Sequence, residues 1–476
     1  MFLRERSGNE RERNSPAFLS SYHRLPKYTP FASSKFYRTK SHHLILTMSE
    51  YLPQEVVIQI LTKLPPKTLI KFRCVSKTWN SLISSPYFIS MHTQQTLLSD
   101  SWTNQIIVRR YSKDQNSEVY SVHLDKEDQF PEDKNIRIEY PFRDCIRFYY
   151  RIVGSCNGVF CLFDDLFGQA DSILLWNPVI KRKVILPAPQ ASFENMEYYM
   201  FVLGFGFDVV NNDYKVVRMA YIQGDNGYIV PPEVEVYALS TKNWHKINGE
   251  FPNCVVEYFW SQVLINGNVN WVAYRNRGEE VKVENLIMLF DLTREVFDEM
   301  PLPDALENEL PINLIGVNVK GSLGVVHYED RIWSTSCCIW VMTKYGDVKS
   351  WSKLYYVDFE GGPGMILGFR TNGDVLLSAD NLGLVSYDPV TGKSADLGVH
   401  GTKDSFYASN YMESLALLAE GKEARERLPS DSDGDSESES SMEVDIDPYG
   451  DVERSEFWMQ CSMSQYLTAL LKRSDS

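Results

Sequence analysis

The chain has 476 residues, with 63 acidic against 48 basic side chains, a formal net charge of −15 and a hydrophobic fraction of 43%. That length suits two to four domains, or one large repeat domain with extensions, and no apolar run approaches the roughly 18 residues of a membrane-spanning helix. The acidic balance argues against a nucleic-acid partner, which needs a basic surface. Eight scattered cysteines make no disulfide framework, so reduced thiols in the cytosol or nucleus are expected.

The charge is uneven. Residues 1–47 hold nine Lys/Arg against three Glu, or +6, residues 420–476 hold fifteen acids against six bases, or −9, and −12 is left for 48–419. The first segment is rich in Arg, Ser, Tyr and Pro, has neither helix nor strand period, and reads as a disordered basic leader. It lacks the apolar stretch of a secretory signal and carries only a faint transit-peptide composition. Met48, just before the first patterned segment, is an alternative natural start.

Residues 49–90 read as three short helices. Pro53 suits a first helical turn, and Val57, Ile60, Leu61 and Leu64 fall at i, i+3, i+4 and i+7 on one stripe. Pro65-Pro66 stops that helix, and Leu69, Ile70 and Phe72 lie on a second. Ser76 caps a third, on which Trp79, Leu82 and Ile83 share a face, and Pro86 closes the module. So short a module cannot bury all these apolar side chains by itself, so a following domain or a partner's helices must cover the rest.

Leu52-Pro53, Ile60-Leu61, Leu64-Pro65, Leu69 and then Cys74-Val75-Ser76-Lys77 with Trp79 resemble the F-box over the whole module, taken as 48–95. The resemblance implies a docking surface for the Skp-type adaptor of Skp–cullin–F-box ubiquitin ligases. Carried over by position, Leu52, Pro53, Ile60, Leu61, Leu64, Pro65 and Leu69 face the adaptor, while Val75, Trp79 and Leu82 form the module's own core.

From 100 to 419 the texture becomes short β-rich runs separated by turns. Asn-Gly pairs at 157, 226, 248, 266 and 372 are hairpin signals. An apolar strand followed by a polar turn with Lys or Arg recurs with anchors at Asp125, Asn177, Ala238, Asp291, Met342 and Asp388, spaced 52, 61, 53, 51 and 46 residues. Before several of them a second element, such as SCNGVFCLF or LINGNVNWVA, sets a turn ahead of a strand. A period near fifty with about four strands per unit points to a β-propeller of about six blades. The segments GSCNGVFCLFDD, LLWNPVIKRKVILP, FGFDVVNNDYKVVR and EVYALSTKNWHKI resemble the F-box-associated domain of plant F-box proteins, which is related to kelch-type propellers. The fold expected is therefore α+β and multidomain: a small three-helix F-box, an all-β propeller-like repeat domain, and disordered termini.

No sequence pattern for catalysis stands out. No His-Glu-x-x-His or paired-Cys zinc spacing occurs, Gly204-x-Gly206 lacks the third glycine and helix of a dinucleotide fingerprint, and Gly361-Gly362-Pro363-Gly364 reads as a loop. Neither a cofactor nor a metal is expected, and Cys156, Cys161, Cys337 and Cys338 read as small strand residues. Recognition of a target protein is expected on the loops 190–200, 223–232, 274–285 and 303–312, with Tyr198, Tyr199, Tyr228 and Trp260 as aromatic anchors. Trp260 reads equally well as a residue packed between blades. Between Pro429 and Asp447 eight acids and no base alternate with serines, a solubilising tail or an acidophilic kinase substrate, followed by a short apolar stretch at FWMQCSMSQYLTALLK. Three readings stay open: a ligase substrate receptor that reaches cullin through the adaptor, a scaffold that uses the adaptor alone, and a propeller enzyme with a helical cap. The first implies a cytoplasmic or nuclear, non-catalytic subunit.

Overall fold

The computed structural model describes residues 52–420, except 100–103, 113–116, 127, 131–149, 165–172, 191–198, 225–226, 257–261, 277–282, 330–335, 360–363, 380–382 and 402–404. The basic leader and the acidic tail lie outside the described residues. The Pro53 carbonyl accepts from the Val56 and Val57 N–H groups at 3.0 and 3.2 Å and α1 (Gln54–Leu61) follows. Two compact units divide within this helix, one up to Val57 and one from Ile58 onward. In the second unit, α2 (Pro66–Phe72) begins on a proline whose missing N–H is no loss in a first turn. Ser76 caps α3 (Lys77–Ile83), its Oγ accepting from the Trp79 N–H at 3.1 Å. Pro86 does not close the module. It opens α4 (Pro86–Leu97), capped by Ser85, whose Oγ accepts from the Phe88 N–H at 3.2 Å.

Six antiparallel sheets follow as the blades of a propeller. β1 (Gln105–Ser112) and β2 (Ser117–Leu124) join β24 (Tyr407–Tyr411) in the order β2-β1-β24, so the blade numbered six closes with strands from both ends of the domain. Blade one is β3 (Tyr150–Cys156), β4 (Val159–Asp164), β5 (Ile173–Asn177) and β6 (Arg182–Ile185). Blade two is β7 (Tyr199–Asp208), β8 (Asp213–Gly224), β10 (Glu233–Ala238) and β11 (Asn243–Lys246), with the short β9 (Gly227–Tyr228) paired to β8. Blade three is β12 (Val263–Ile265), β13 (Asn268–Asn276), β14 (Val283–Asp291) and β15 (Val296–Pro301). Blade four is β16 (Leu314–Val319), β17 (Ser322–Tyr328), β18 (Ser336–Met342) and β19 (Trp351–Asp358). Blade five is β20 (Met365–Phe369), β21 (Val375–Ala379), β22 (Gly383–Tyr387) and β23 (Ser394–Asp396). The connection from β15 to β16 holds the one-turn helix α5 (Asp304–Glu307).

The repeat seen in the sequence is the turn after each third strand. Asn177, Ala238, Asp291 and Met342 end β5, β10, β14 and β18, and Asp125 and Asp388 follow β2 and β22. Four residues past five of these anchors the backbone is left-handed: Lys181 (φ 53°), Lys242 (57°), Glu295 (54°), Gly346 (83°) and Gly392 (70°). An Asn or Asp anchor holds its turn by accepting backbone N–H groups, as Asp291 Oδ1 does from Thr293 and Arg294 at 2.8 and 2.9 Å. The first and second strands of blades one and three are joined by Asn157-Gly158 and Asn266-Gly267, both residues with positive φ as a type I′ hairpin requires. Lys320-Gly321 does the same in blade four without an asparagine. Asn248-Gly249 is a correction to the hairpin expectation: it lies in the connection after β11 and joins no pair. Asn226 is outside the described residues.

Each blade is apolar on both faces because each is covered by two neighbours. On β4, Val159, Cys161 and Phe163 pack towards blade two, while Phe160 and Leu162 alternate towards blade six. Similar clusters fill the gaps from blade two through four, between four and five, and between five and six. Gly204 of the rejected nucleotide motif has a packing role, since a Cβ there would collide with Trp271 of blade three. Buried ion pairs tie neighbouring blades. Arg370 Nε donates to Asp125 Oδ1 at 2.9 Å, with both side chains nearly inaccessible. Lys215 bridges Asp208 and Glu295, each at 2.9 Å. Burial raises the Asp208 pKa, but hydrogen bonds from Asn211, Lys215 and Thr293 outweigh it and hold the carboxyl well below its usual range. Removing one partner of a buried pair strands the other, so Arg370→Ala is expected to lower stability by about 3–5 kcal/mol, read as a fall in the urea unfolding midpoint.

Candidate functional site

The helices from Ile58 to Leu97 have an interior and an outer face. Leu61 and Leu69, at 1% and 0% exposure, are buried with Ile83, Phe88 and His92. His92 Nε2 lies 2.9 Å from the Leu64 carbonyl and ties α4 to the corner between α1 and α2. Ile60 is 50% exposed, and Leu64 and Pro65 are half-buried. In the first unit, Leu52 and Pro53 are exposed, as is Val56. Two of the seven expected adaptor contacts therefore need correction: Leu61 and Leu69 form the inside of the module, because neighbours on a helix turn by about 100° and Leu61 points away from the face Ile60 presents. Val75, expected in the core, is exposed, whereas Trp79 packs against Phe72 with ring centroids 5.4 Å apart. Tyr87 and Leu97, exposed on α4, were missed because Pro86 reads in the sequence as the end of the helical pattern and not as the start of a fourth helix.

The propeller topology creates two ends. Connections from second to third strands, and from a fourth strand to the next blade, lie at one end, and the tight turns lie at the other. All four loops singled out in the sequence belong to the first class: they join β6 to β7, β8 to β10, β13 to β14 and β15 to β16. The chain enters β1 and leaves β24 at the turn end, where Lys67 of α2 pairs with Glu413 at 2.9 Å. Helices and connection loops thus lie at opposite ends of the second unit.

Of the four aromatic anchors, Tyr198 and Trp260 lie outside the described residues, and Tyr199 opens β7 opposite Ile222. Tyr228 is half-buried and packs edge-on against buried Tyr221, with centroids 6.1 Å apart. Among the described residues of these connections, the exposed large apolar groups are Ile229 and Leu310. The connection carrying Leu310 is held from below by buried Asn285, whose Nδ2 donates to the Leu306 and Glu309 carbonyls at 2.9 and 2.8 Å. An apolar residue standing outside any strand in a polar loop was the available signal.

Burial pushes the Cys156, Cys254 and Cys337 thiols up to about 12, which leaves them protonated and unreactive. Among the described residues no group of three or more His, Cys, Asp or Glu is placed to hold a metal, and no helix is long and apolar enough to cross a membrane.

Comparison with known proteins finds two family matches, an F-box domain at residues 50–91 and an F-box associated beta propeller domain at residues 110–403. Among curated Arabidopsis thaliana proteins, F-box protein At3g07870 is 27% identical, over 75% of this chain and 90% of its own length. F-box/kelch-repeat protein At3g23880 is 29% identical, over 72% and 89%, and F-box protein CPR1 is 28% identical, over 78% and 90%.

Two tests separate the inside of the helical module from its outside. Leu69→Ala is expected to cost about 2–5 kcal/mol, whereas Ile60→Ala stays within about 0.5 kcal/mol, both read from hydrogen-exchange protection of α2 and α4 amides. Burial lowers the His92 pKa against the opposing pull of the Leu64 carbonyl, so the unfolded chain takes up the proton first. The module therefore loses stability as pH falls below about 6.5, and His92→Gln is expected to flatten that dependence in the same protection measurement.

Proposed function

We propose that this chain, which belongs to the family of F-box proteins carrying an F-box associated beta propeller domain, is the substrate-recognition subunit of a Skp–cullin–F-box ubiquitin ligase. The observation that carries this reading is the exposed apolar surface of the F-box helices, at the end of the propeller away from its connection loops. Ile60, Leu64 and Pro65, together with Leu52 and Pro53, take up the Skp-type adaptor, which brings cullin. An apolar helical face against partner helices is a common recognition mode. Leu61 and Leu69 act from inside, by holding that face in shape.

The connection loops take the target protein, with Ile229 and Leu310 as described apolar contacts and Tyr199 at their border. Holding a target close to the ubiquitin donor raises its effective concentration there, and no covalent intermediate forms on this chain. The reading places the protein in the cytoplasm or nucleus.

Binding of the full chain to a Skp-type adaptor tests the proposal. Leu52→Ala/Pro53→Ala/Leu64→Ala is expected to weaken it by about 30-fold or more, as loss of interface hot spots does, with circular dichroism unchanged. Unaltered affinity overturns the adaptor reading. Adaptor bound without cullin, in a mixture containing both, favours a scaffold over a ligase subunit.

A further inference from the structure

The two ends of the propeller differ in charge. Among the described residues of the connection loops stand Glu250, Asp304, Glu307, Glu309 and Glu329, with no Lys or Arg. The tight turns at the other end carry exposed Lys181, Lys242, Arg294, Lys320, Lys349 and Lys393, spread over blades one to five. The carboxylates of these turns are buried or half-buried: Asp125 pairs with Arg370, Asp208 and Glu295 pair with Lys215, and Asp291, Asp347, Asp374 and Asp388 accept hydrogen bonds within their own blades. Among the described residues of the turns of blades one to five, the exposed charged side chains are therefore the cations.

The chain leaves the described structure on this same rim. Buried Asn177 of blade one donates to the Ser414 and Ala416 carbonyls at 3.1 and 2.9 Å, and so seats the segment after β24. Leu417 packs into the cluster between blades one and two. Glu420 then pairs with Lys242 of blade two at 2.9 Å. From there the chain runs on to eight acids and no base between Pro429 and Asp447. The stretch from Glu420 to Asp431 spans on the order of 35–40 Å when extended, enough to carry the acids along the turn rim.

We propose that the acidic segment 429–447 docks on the basic turn rim of its own propeller, continuing the contact that Glu420 begins on Lys242. Each charge pair on an exposed surface contributes little, but a tethered segment meets its site at an effective concentration near millimolar, so several weak pairs suffice. The contact covers the turn end beside the F-box helices and leaves the connection loops open. It does not depend on the adaptor reading.

Small-angle X-ray scattering of the full chain, at about 50 mM and about 1 M salt, tests the proposal through the sign of the change. A docked tail is released by salt, so the radius of gyration rises. A free acidic tail repels itself and contracts when screened, so the radius falls. The rim variant combines Lys181→Asn, Lys242→Asn, Lys320→Asn, Arg294→Gln, Lys349→Gln and Lys393→Gln. Asparagine is used at the three left-handed positions because it tolerates that backbone. Its radius at low salt is expected to exceed that of the unaltered chain and to fall with salt. A radius that falls or stays constant with salt in the unaltered chain overturns the proposal, as does a salt-induced rise that survives in the rim variant. Retained adaptor binding by the rim variant keeps this outcome separate from the F-box reading.

Discussion

The pairing of β1 with β24 is the constraint on which the propeller depends. It runs in register from Gln105 opposite Tyr411 to Arg109 opposite Tyr407, and just beyond it the Tyr111 N–H donates to Ser405 Oγ at 2.9 Å across 294 residues of sequence. Ser409 and Tyr407 of β24 reach Ser155 of β3 at 3.3 and 3.4 Å, which joins blade six to blade one. Without this closure, Phe160, Leu162 and Trp176 on one face of blade one would lose the cover that Ile107, Tyr120 and Val122 provide. Each blade depends on both neighbours, so opening the ring at one seam exposes apolar surface on two blades. Such closure brings together distant parts of the chain and carries a loop-closure entropy that the flanking interblade cores must offset.

Closure also decides where function can reside. Antiparallel blades send their variable connections to one end and their tight turns to the other. The F-box helices and the segment after β24 share the turn end because β1 and β24 are adjacent strands of one sheet. A target on the connection loops and an adaptor on the helices therefore need not compete for surface. The turn end is stiffened by buried charges, Arg370 with Asp125 and Lys215 with Asp208 and Glu295, which link neighbouring blades where the turns themselves are short.

Much of this was legible in the sequence, for reasons that can be located. The six anchors were visible because the turn after each third strand repeats similar chemistry, an acceptor side chain or strand end, followed at five of them four residues later by a left-handed residue. Asn157-Gly158 and Asn266-Gly267 were readable as hairpins because few residue pairs accept two positive φ angles. Lys320-Gly321 was not, since lysine carries no such signature, and Asn248-Gly249 misled because the same dipeptide also suits a long connection. The F-box offsets identified the helical module, but periodicity does not distinguish an inner from an outer apolar stripe on so short a helix. Leu61 and Leu69 were placed outside, and Val75 inside, by carrying positions over from the F-box resemblance, and the short apolar stripe offered no independent check. Pro86 read as a stop because proline both ends and begins helices, and Ser85 before it was the overlooked cap. The contact of Tyr228 with Tyr221 was not legible, because an aromatic in a loop looks the same in sequence whether or not it packs on a neighbour.

The separation of the two ends is the central claim, and electron cryo-microscopy of the full chain bound to a Skp-type adaptor tests it most directly. The account predicts adaptor density against the F-box helices on the side of the β1 entry and the tight turns, with the connections around Ile229 and Leu310 uncovered. Adaptor density over those connections would contradict it.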